Sequence, residues 1–362
     1  MPTHNPTIDA REAPRVRDFF QTDRILISVI VPTLNEEKVI AGCLNALASQ
    51  SVPANQFEVI VIDNGSVDRT LEIAQSFTQR LRLTVLEKSN IHVSALRNAA
   101  AQHAKGSFFA FLDADCVPPT EWLRRARERL RVGDAGVIGA FYTTPAGSSW
   151  VARNWYGDLP RLKQGPVSYV PAGTMFISRS VFLRLGGFDP NISTSEDFEF
   201  CQRVSAAGYE VLGYPELSTI HLGTPQTLGD FYRKQRWHGN GVRSVFLRDV
   251  LNPGYARTVL QTSYTLLAFA VFLGSIGVAI LTAKPAVLAL GPVLFVLGPA
   301  ILAWRAAMQR KRWQAFAPLT LLYLTYGLAR SLSLLGLNGK RAARKVSGIP
   351  VYSPVPGPFQ AD

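Results

Sequence analysis

The chain has 362 residues with a formal net charge of +12, and 47% hydrophobic against 18% charged residues. This length allows one large domain, or a domain with an appendage, and the apolar content is ample for a core. The three cysteines (Cys43, Cys116, Cys201) are far apart and show neither CxxC nor Cys/His spacing, which excludes a disulfide framework or a zinc site and fits a reducing compartment. The basic balance leaves nucleic acid, an anionic membrane face, an anionic small substrate and plain surface solvation all open.

Residues 1–24 read as a polar, flexible lead-in. "MPTHNPTIDAREAPRVRDFF" lacks the apolar stretch of a signal peptide, so the first folded part is expected in the cytoplasm. Regular alternation then begins. "ILISVIVP" and "FEVIVID" are short β-branched runs of the kind buried in parallel sheets. Between them "NEEKVIAGCLNALASQ" places Val39, Cys43, Leu44 and Leu47 on one helical face. "SVDRTLEIAQSFTQ" predicts a second helix capped by Asp68 or Ser66, "RLTVLE" a third strand, "VSALRNAAAQHAKG" a helix closed by Gly106, and "SFFAFLD" a fourth strand. This order predicts an α/β layer. Further on, "AGVIGAFY" and "GTMFIS" read as strands and "SEDFEFCQRVSAAG" as a helix. The expected catalytic unit runs from 25 to 225.

Residues 226–257 are basic and aromatic ("FYRKQRWHGNGVRSVFLRDV") and predict a segment lying along a membrane surface. From Thr258 to Ala283 there is no charged residue. About 26 residues at ~1.5 Å each cross a ~30 Å hydrocarbon layer with room for tilt. Pro285 to Trp304 is again uncharged, with Pro292 and Pro299 expected to kink it, and "QAFAPLTLLYLTYGLA" is a shorter third run ending at Arg330. Residues 258–338 therefore read as a membrane region of two to three helices, followed by a basic tail at 339–362. With residues 1–250 cytoplasmic, two spans return "RAAMQRKR" to the inside, as the excess of positive charge requires. A third crossing would place "GKRAARK" outside. Either the third segment does not cross, or that rule is broken. The expected location is a cell membrane, multi-pass, with the catalytic unit facing the cytoplasm.

Ligands of open α/β sheets bind beyond the carboxyl ends of the strands. At those ends this chain carries "PTLNEE", "DNGSVD" and "DADC". Alternation along an extended chain points Asp113 and Asp115 the same way. Two such carboxylates repel unless a cation lies between them and something anionic, which suits Mg²⁺ or Mn²⁺ with the oxygens of a diphosphate.

"VPTLNEE", "VIDNGSVDRT", "LRNAA", "FLDADC", "GTMFISRSVFLRLGGFDP" and "SEDFEFCQRVSAAGYEV" occur in the order and spacing of family 2 glycosyltransferases of the GT-A fold, and residues 26–222 resemble that family. The resemblance implies a Rossmann-like nucleotide-sugar transferase domain and a role for each matched position. Asp63, with Asn64 beside it, would recognise the base, and the backbone from Pro32 to Glu36, including Thr33 and Asn35, would line the nucleotide pocket. Arg97 would face the nucleotide or its phosphates, the alternative being an ordinary helix-surface arginine. Asp113 would touch the ribose or a metal-bound water, and Asp115 would ligate the metal. The acids of "TSEDFEF" read locally as helix capping, Ser193 with Glu196. The resemblance makes Asp197 the general base and Glu196 a residue that places the acceptor. Gly173 and Thr174 would shape the acceptor side, and His221 would either complete the metal site or be a surface histidine. Processive relatives carry Q-x-x-R-W; here "RKQRW" puts Arg233 in place of the glutamine, which predicts one sugar added per encounter. Arg236 and Trp237 in that stretch are expected near the phosphates of a lipid carrier.

The expected activity is metal-dependent transfer of a sugar, with inversion, from a nucleotide donor to a lipid-linked or other membrane-associated acceptor in polysaccharide or glycolipid synthesis. Two alternatives compete. A sugar nucleotidylyltransferase would want a basic Gly-rich loop where "PTLNEE" stands, and a non-catalytic nucleotide-sugar-binding scaffold would lack the base or the metal ligands. GxGxxG is absent at the first turn, against an oxidoreductase. No nucleic-acid partner is expected, because the positive charge clusters beside the apolar segments.

Overall fold

The structure, a computed structural model, describes residues 26–336 except 131–134, 158, 160–163, 249–252, 285 and 287–289. The polar lead-in and the basic tail read from the sequence lie outside the described residues.

Strands β1 (Ile27–Thr33), β2 (Phe57–Asp63), β3 (Leu83–Glu87) and β4 (Phe108–Leu112) alternate with helices α1 (Ile40–Ala48), α2 (Thr70–Gln75) and α3 (Val93–His103). β1, β2 and β4 are buried along their whole length, as expected of strands covered on both faces. All pairings among these four strands are parallel, in the order β3-β2-β1-β4. The chain winds outward from β1 to β3 and returns on the other side of β1. The carboxyl ends of β1 and β4 therefore flank the point where strand order reverses, which is where such sheets bind ligands. On α1 the buried residues are Ile40, Cys43, Leu44 and Leu47, so Ile40 takes the place expected of Val39. The N-cap of α2 is Arg69, without a side-chain cap, rather than the expected Asp68 or Ser66; Asp68, one residue earlier, accepts from the Thr70 N–H (3.0 Å).

Beyond β4 the pattern changes. A short strand β5 (Cys116–Val117) leads to helix α4 (Trp122–Leu130), strand β6 (Ala135–Gly139), helix α5 (Trp150–Trp155) and strand β7 (Gly165–Pro166). Strand β8 (Thr174–Ser178) and helices α6 (Arg179–Arg184) and α7 (Glu196–Ala206) follow. β9 (Glu210–Gly213) joins the main sheet, whereas β10 (Ile220–His221) pairs antiparallel with β5 in a separate ribbon. β8 is antiparallel to both β4 and β6, so the sheet is mixed. Phe109 and Phe111 of β4 pack edge-on and tilted against Phe182 (5.4 and 5.3 Å between ring centres), and Phe188 continues the cluster to Phe200 of α7 at 5.0 Å. This aromatic layer fixes α7 across the end of the sheet.

Among the described residues four long helices follow: α8 (Leu228–Arg248), α9 (Pro253–Thr282), α10 (Leu290–Gln309) and α11 (Phe316–Leu334). Among the described residues two stretches are long and apolar enough to cross a membrane, Val259–Thr282 and Gly291–Gln309, with mean hydropathy 2.3 and 1.5. Only 22% and 28% of each is buried within the chain, and Leu260, Leu267, Ile280, Leu281 and Val293 are exposed. The third apolar segment differs. Leu319, Leu322, Tyr323, Tyr326, Ala329 and Arg330 of α11 are buried, with Trp155 of α5 packed on Tyr323 and Tyr326 at 5.3 and 5.6 Å. Its apolar face is used inside the protein. α10 continues through Pro299. The Tyr264 hydroxyl enters the ladder there, donating to Leu294 O at 2.5 Å and accepting from Gly298 N–H at 3.1 Å, one of the known ways to accommodate a proline-disturbed turn. Arg310, just past α10, is buried and donates to the carbonyls of Asn154 and Trp155. This pairs a cation with the carboxyl end of α5.

Gly106 lies where α3 returns to β4. A Cβ there would sit 2.6 Å from the Ser28 backbone nitrogen and 2.9 Å from the Ile27 carbonyl carbon, closer than packed atoms approach. Gly106→Ala should therefore lower stability by about 1–3 kcal/mol through overpacking. A thermal melt of the purified chain checks this, and an unchanged transition would show that the β1 backbone gives way freely.

Candidate active site

The carboxyl ends of β1 and β2 carry two loops tied to each other. Asn35 takes a left-handed φ of 57°, its backbone N–H donates to Ser66 Oγ (2.8 Å), and its Oδ1 accepts from Val67 N–H (2.9 Å). The Glu36 N–H donates to Thr70 Oγ1 (2.7 Å). Asp63, fully buried, accepts from the N–H groups of Gly65 and Ser66 (2.8 and 2.7 Å) and from Ser66 Oγ. Asn64 clasps Ile91 through both its amide atoms. Pro32, Thr33, Asn35, Glu36, Asp63 and Asn64 are thus brought together as one wall. Asp63, expected to recognise the base, has its oxygens on the turn that it closes. Thr33 Oγ1 is buried with no partner among the described residues.

The next layer is a buried charge network. Arg97 of α3 has no exposed surface. It donates through Nη2 to Asp113 Oδ1 (2.6 Å) and through Nη1 to Glu196 Oε1 (2.5 Å). Burial opposes its charge, yet the two carboxylates outweigh that and hold the guanidinium protonated. Burial pushes the Glu196 carboxyl up against the pull of Arg97. The other oxygen of Asp113 accepts from Tyr142 Oη (2.9 Å), a hydroxyl kept protonated by burial and by that neighbour. Two sequence alternatives are corrected here. Arg97 is not at the helix surface; it bridges the two acidic motifs. Asp113 has one oxygen on Arg97 and the other on Tyr142. Glu196 makes no capping box with Ser193, since α7 starts from Ser195 in the left-handed region (φ 69°) without a side-chain cap, and its carboxylate goes to Arg97 instead.

Asp197 follows directly and is fully buried. Its Oδ1 accepts from the Phe198 N–H (2.8 Å) and its Oδ2 from the Ala172 N–H (3.3 Å). Ala172 precedes Gly173, where a Cβ would collide with Asp113 Oδ2 and the Tyr142 hydroxyl. Glycine is required for that approach, so the segment before β8 fits between the two acidic motifs. Gly173 and Thr174 are accordingly at the site.

Asp115 lies on the other side. The β5–β10 ladder pairs His221 with Cys116, which brings His221 Nδ1 to 3.2 Å from Asp115 Oδ2. The same oxygen accepts from the Gly223 N–H (2.9 Å). Burial, then the Lys234 charge, holds the imidazole well below its ordinary pKa, so His221 is neutral and can offer a lone pair. Burial also pushes the Lys234 ammonium down to about 8, opposed by Asp115. Tyr142, Thr143, Tyr156, His221, Thr224 and Lys234 line a small cavity of about 10 Å³. Among the described residues no group of three or more His, Cys, Asp and Glu forms a closed metal cage. Asp115 and His221 are a pair of donors of the kind a divalent cation uses when diphosphate oxygens and water supply the remainder.

Sequence reasoning missed Tyr142, Lys234, His238 and Arg330. On α8 the buried positions are Phe231, Lys234, Gln235 and His238, at helical spacing. Polar residues on an inward face were the available signal. Arg236 and Trp237, expected on the acceptor side, are half-buried beside that face.

Residues 28–186 match the family description Glycosyl transferase family 2, and residues 108–308 match Glycosyl transferase family group 2. Glycosyltransferase AglE of Haloferax volcanii is 31% identical over 229 residues, covering 62% of this chain and 75% of AglE. The poly(ribitol-phosphate) beta-N-acetylglucosaminyltransferase TarS of Staphylococcus aureus is 43% identical over 101 residues, 27% of this chain; the chain spans only 18% of TarS. The mannosyltransferase PcManGT from Pyrobaculum calidifontis, solved in complex with GDP-Man and Mn²⁺, has a TM-score of 0.59 over 87% of this chain and 88% of its own, at 19% identity, a likeness of fold. The mixed sheet with its acidic strand ends is therefore a GT-A fold, and the protein is a glycosyltransferase. It belongs to family 2 of that class.

Removing one partner of a buried ion pair strands the other charge, at about 3–5 kcal/mol. Arg97→Met should destabilise the chain by that order, and adding Glu196→Gln should recover part of the loss. Thermal melts of the single and double variants test the bridge; a double variant no better than the single one would deny the coupling.

Proposed function

We propose that this chain transfers a sugar from a nucleoside-diphosphate sugar to a hydroxyl of a lipid-linked or otherwise membrane-associated acceptor, with inversion and one sugar per encounter. The observation that supports the reading is the shared Arg97, which holds Asp113 and Glu196, one member of each acidic motif, on one guanidinium.

The loops at Pro32–Glu36 and Asp63–Asn64 form the nucleotide wall. Mg²⁺ or Mn²⁺ would be held by Asp115 and His221, and when bound it supplies positive charge to offset that of the departing diphosphate. The Mn²⁺ in PcManGT supports a divalent ion. Lys234 adds a second cation beside the same carboxylate. Asp197 is the proton acceptor for the attacking hydroxyl, its carboxylate held in place by the Ala172 and Phe198 N–H groups. One base facing the leaving group implies a single displacement, hence inversion. Arg233, standing where processive relatives carry glutamine, is paired with Asp230, consistent with release after each transfer. The exposed apolar side chains of α9 and α10 favour a hydrocarbon environment over water, which supports a membrane-associated acceptor.

Asp197→Asn should leave donor binding intact while transfer falls about 100- to 10,000-fold; turnover like the unmodified chain's would overturn the assigned base. Asp115→Asn should weaken Mn²⁺-dependent binding of UDP or GDP in calorimetry, and EDTA should reproduce that loss in the unmodified chain. A panel of sugar nucleotides incubated with a membrane lipid extract, with products read by mass spectrometry, identifies donor and acceptor.

A further inference from the structure

Polar groups remain that the transfer site does not use, and they gather where α11 packs against α8. Past Lys234, the inward face of α8 offers Gln235 and His238. From α11 comes Arg330, 3% exposed. Its Nη2 donates to Gln235 Oε1 (3.2 Å), and its guanidinium lies over the Tyr326 ring at 5.1 Å. Nε and Nη1 of Arg330 have no acceptor among the described residues, and neither does Nδ1 of His238. Arg330 also lies near the phenols of Tyr326, Tyr156 and Tyr169. Gly239 lets the two helices close, since a Cβ there would strike Ser333 Oγ and lie 3.5 Å from Arg330 Cδ.

A buried guanidinium with two donor nitrogens unmet among the described residues is strongly unfavourable. An ordinary helix contact at this position would use leucine. The position relative to the base is informative. The Tyr169 hydroxyl feels both Asp197 and Arg330, and the Thr194 hydroxyl donates to the His238 carbonyl (3.4 Å) three residues before Asp197. The cluster thus adjoins the acceptor side of the base. α11 also carries the apolar helices α9 and α10 on its flanks.

We propose that Arg330 and His238, with Gln235, bind a phosphate group carried by the acceptor, a monophosphate or diphosphate ester of a long-chain alcohol. This deepens the function proposed above and rests on it. Diverging N–H donors around a buried positive charge suit a tetrahedral oxyanion with several acceptor oxygens. The apolar surfaces of α9 and α10 suit the chain attached to it. The same chemistry could come from free phosphate or from the diphosphate of the donor, and the test separates these sources.

The full chain in detergent micelles is titrated with farnesyl phosphate, farnesol, inorganic phosphate and UDP or GDP with Mn²⁺, following tryptophan fluorescence. Farnesyl phosphate should bind at least about tenfold more tightly than farnesol or inorganic phosphate. Arg330→Gln and His238→Asn should each erase most of that margin while nucleotide binding stays unchanged, which also reports that the variants are folded; Arg330→Lys should retain part of it. Farnesyl phosphate binding by Arg330→Gln equal to that of the unmodified chain overturns the site. Equal affinity for farnesol removes the role of phosphate, and equal affinity for inorganic phosphate removes the lipid. A parallel loss of nucleotide binding in Arg330→Gln and His238→Asn assigns the cluster to the donor and also overturns it. Arg330-dependent binding without sugar transfer on any donor would sink the proposed function and leave the site standing, whereas transfer to a lipid acceptor undiminished by Arg330→Gln would do the reverse.

Discussion

One guanidinium organises this molecule. Arg97 has no exposed surface and holds a carboxylate from the end of β4 and another from the start of α7. Neither acid could be buried singly at tolerable cost, and together they would repel; a cation between them removes both objections. Asp113 is therefore a structural anchor, and its neighbour two residues on, Asp115, is left to face His221 and Lys234. Likewise Glu196 is an anchor, with Asp197 beside it. Under the proposed function one member of each acidic motif holds and the other acts. The left-handed turn at Ser195 and the missing side chain at Gly173 belong to the same arrangement, since each allows backbone to pass where an ordinary residue would obstruct it.

The first half of the fold was legible because its physics is local. β1, β2 and β4 are β-branched or aromatic runs buried on both faces, and α1 shows its inward face in the spacing of Cys43, Leu44 and Leu47. Past β4 the pairings of β8 with β4 and of β10 with β5 depend on contacts between distant segments, which periodicity does not encode. The site shows the same division. Two aspartates at a strand end advertise themselves, but which of them meets Arg97 depends on where α3 and α7 meet. His221 was readable only as one of two alternatives, and the β5–β10 ladder removes the surface one by setting it, buried, against Asp115. Lys234 and His238 were hidden inside a segment whose abundant positive charge suggested a membrane surface; only burial separates the inward cations from the outward ones such as Arg233.

The apolar C-terminal region divides into two kinds of helix with similar composition. α9 and α10 leave their large side chains exposed, whereas α11 turns Leu319, Leu322, Tyr323 and Tyr326 inward. Composition alone treats all three as candidates for a bilayer. Their difference comes from what each has to pack against: α11 lies against α8 and α5, where aromatic rings from Trp155 and Phe231 supply a surface. Arg310 fastens the same junction from below by satisfying carbonyls at the end of α5. The catalytic unit and the apolar helices are thus joined through a packed interface rather than by a tether.

That junction has a consequence for biosynthesis. α11 is the last described helix to leave the ribosome, yet it covers the polar face of α8 and reaches Trp155 near the middle of the chain. Until it arrives, Gln235 lacks the Arg330 side chain that finally meets it. The polar face of α8 is therefore covered only after both apolar helices have been made.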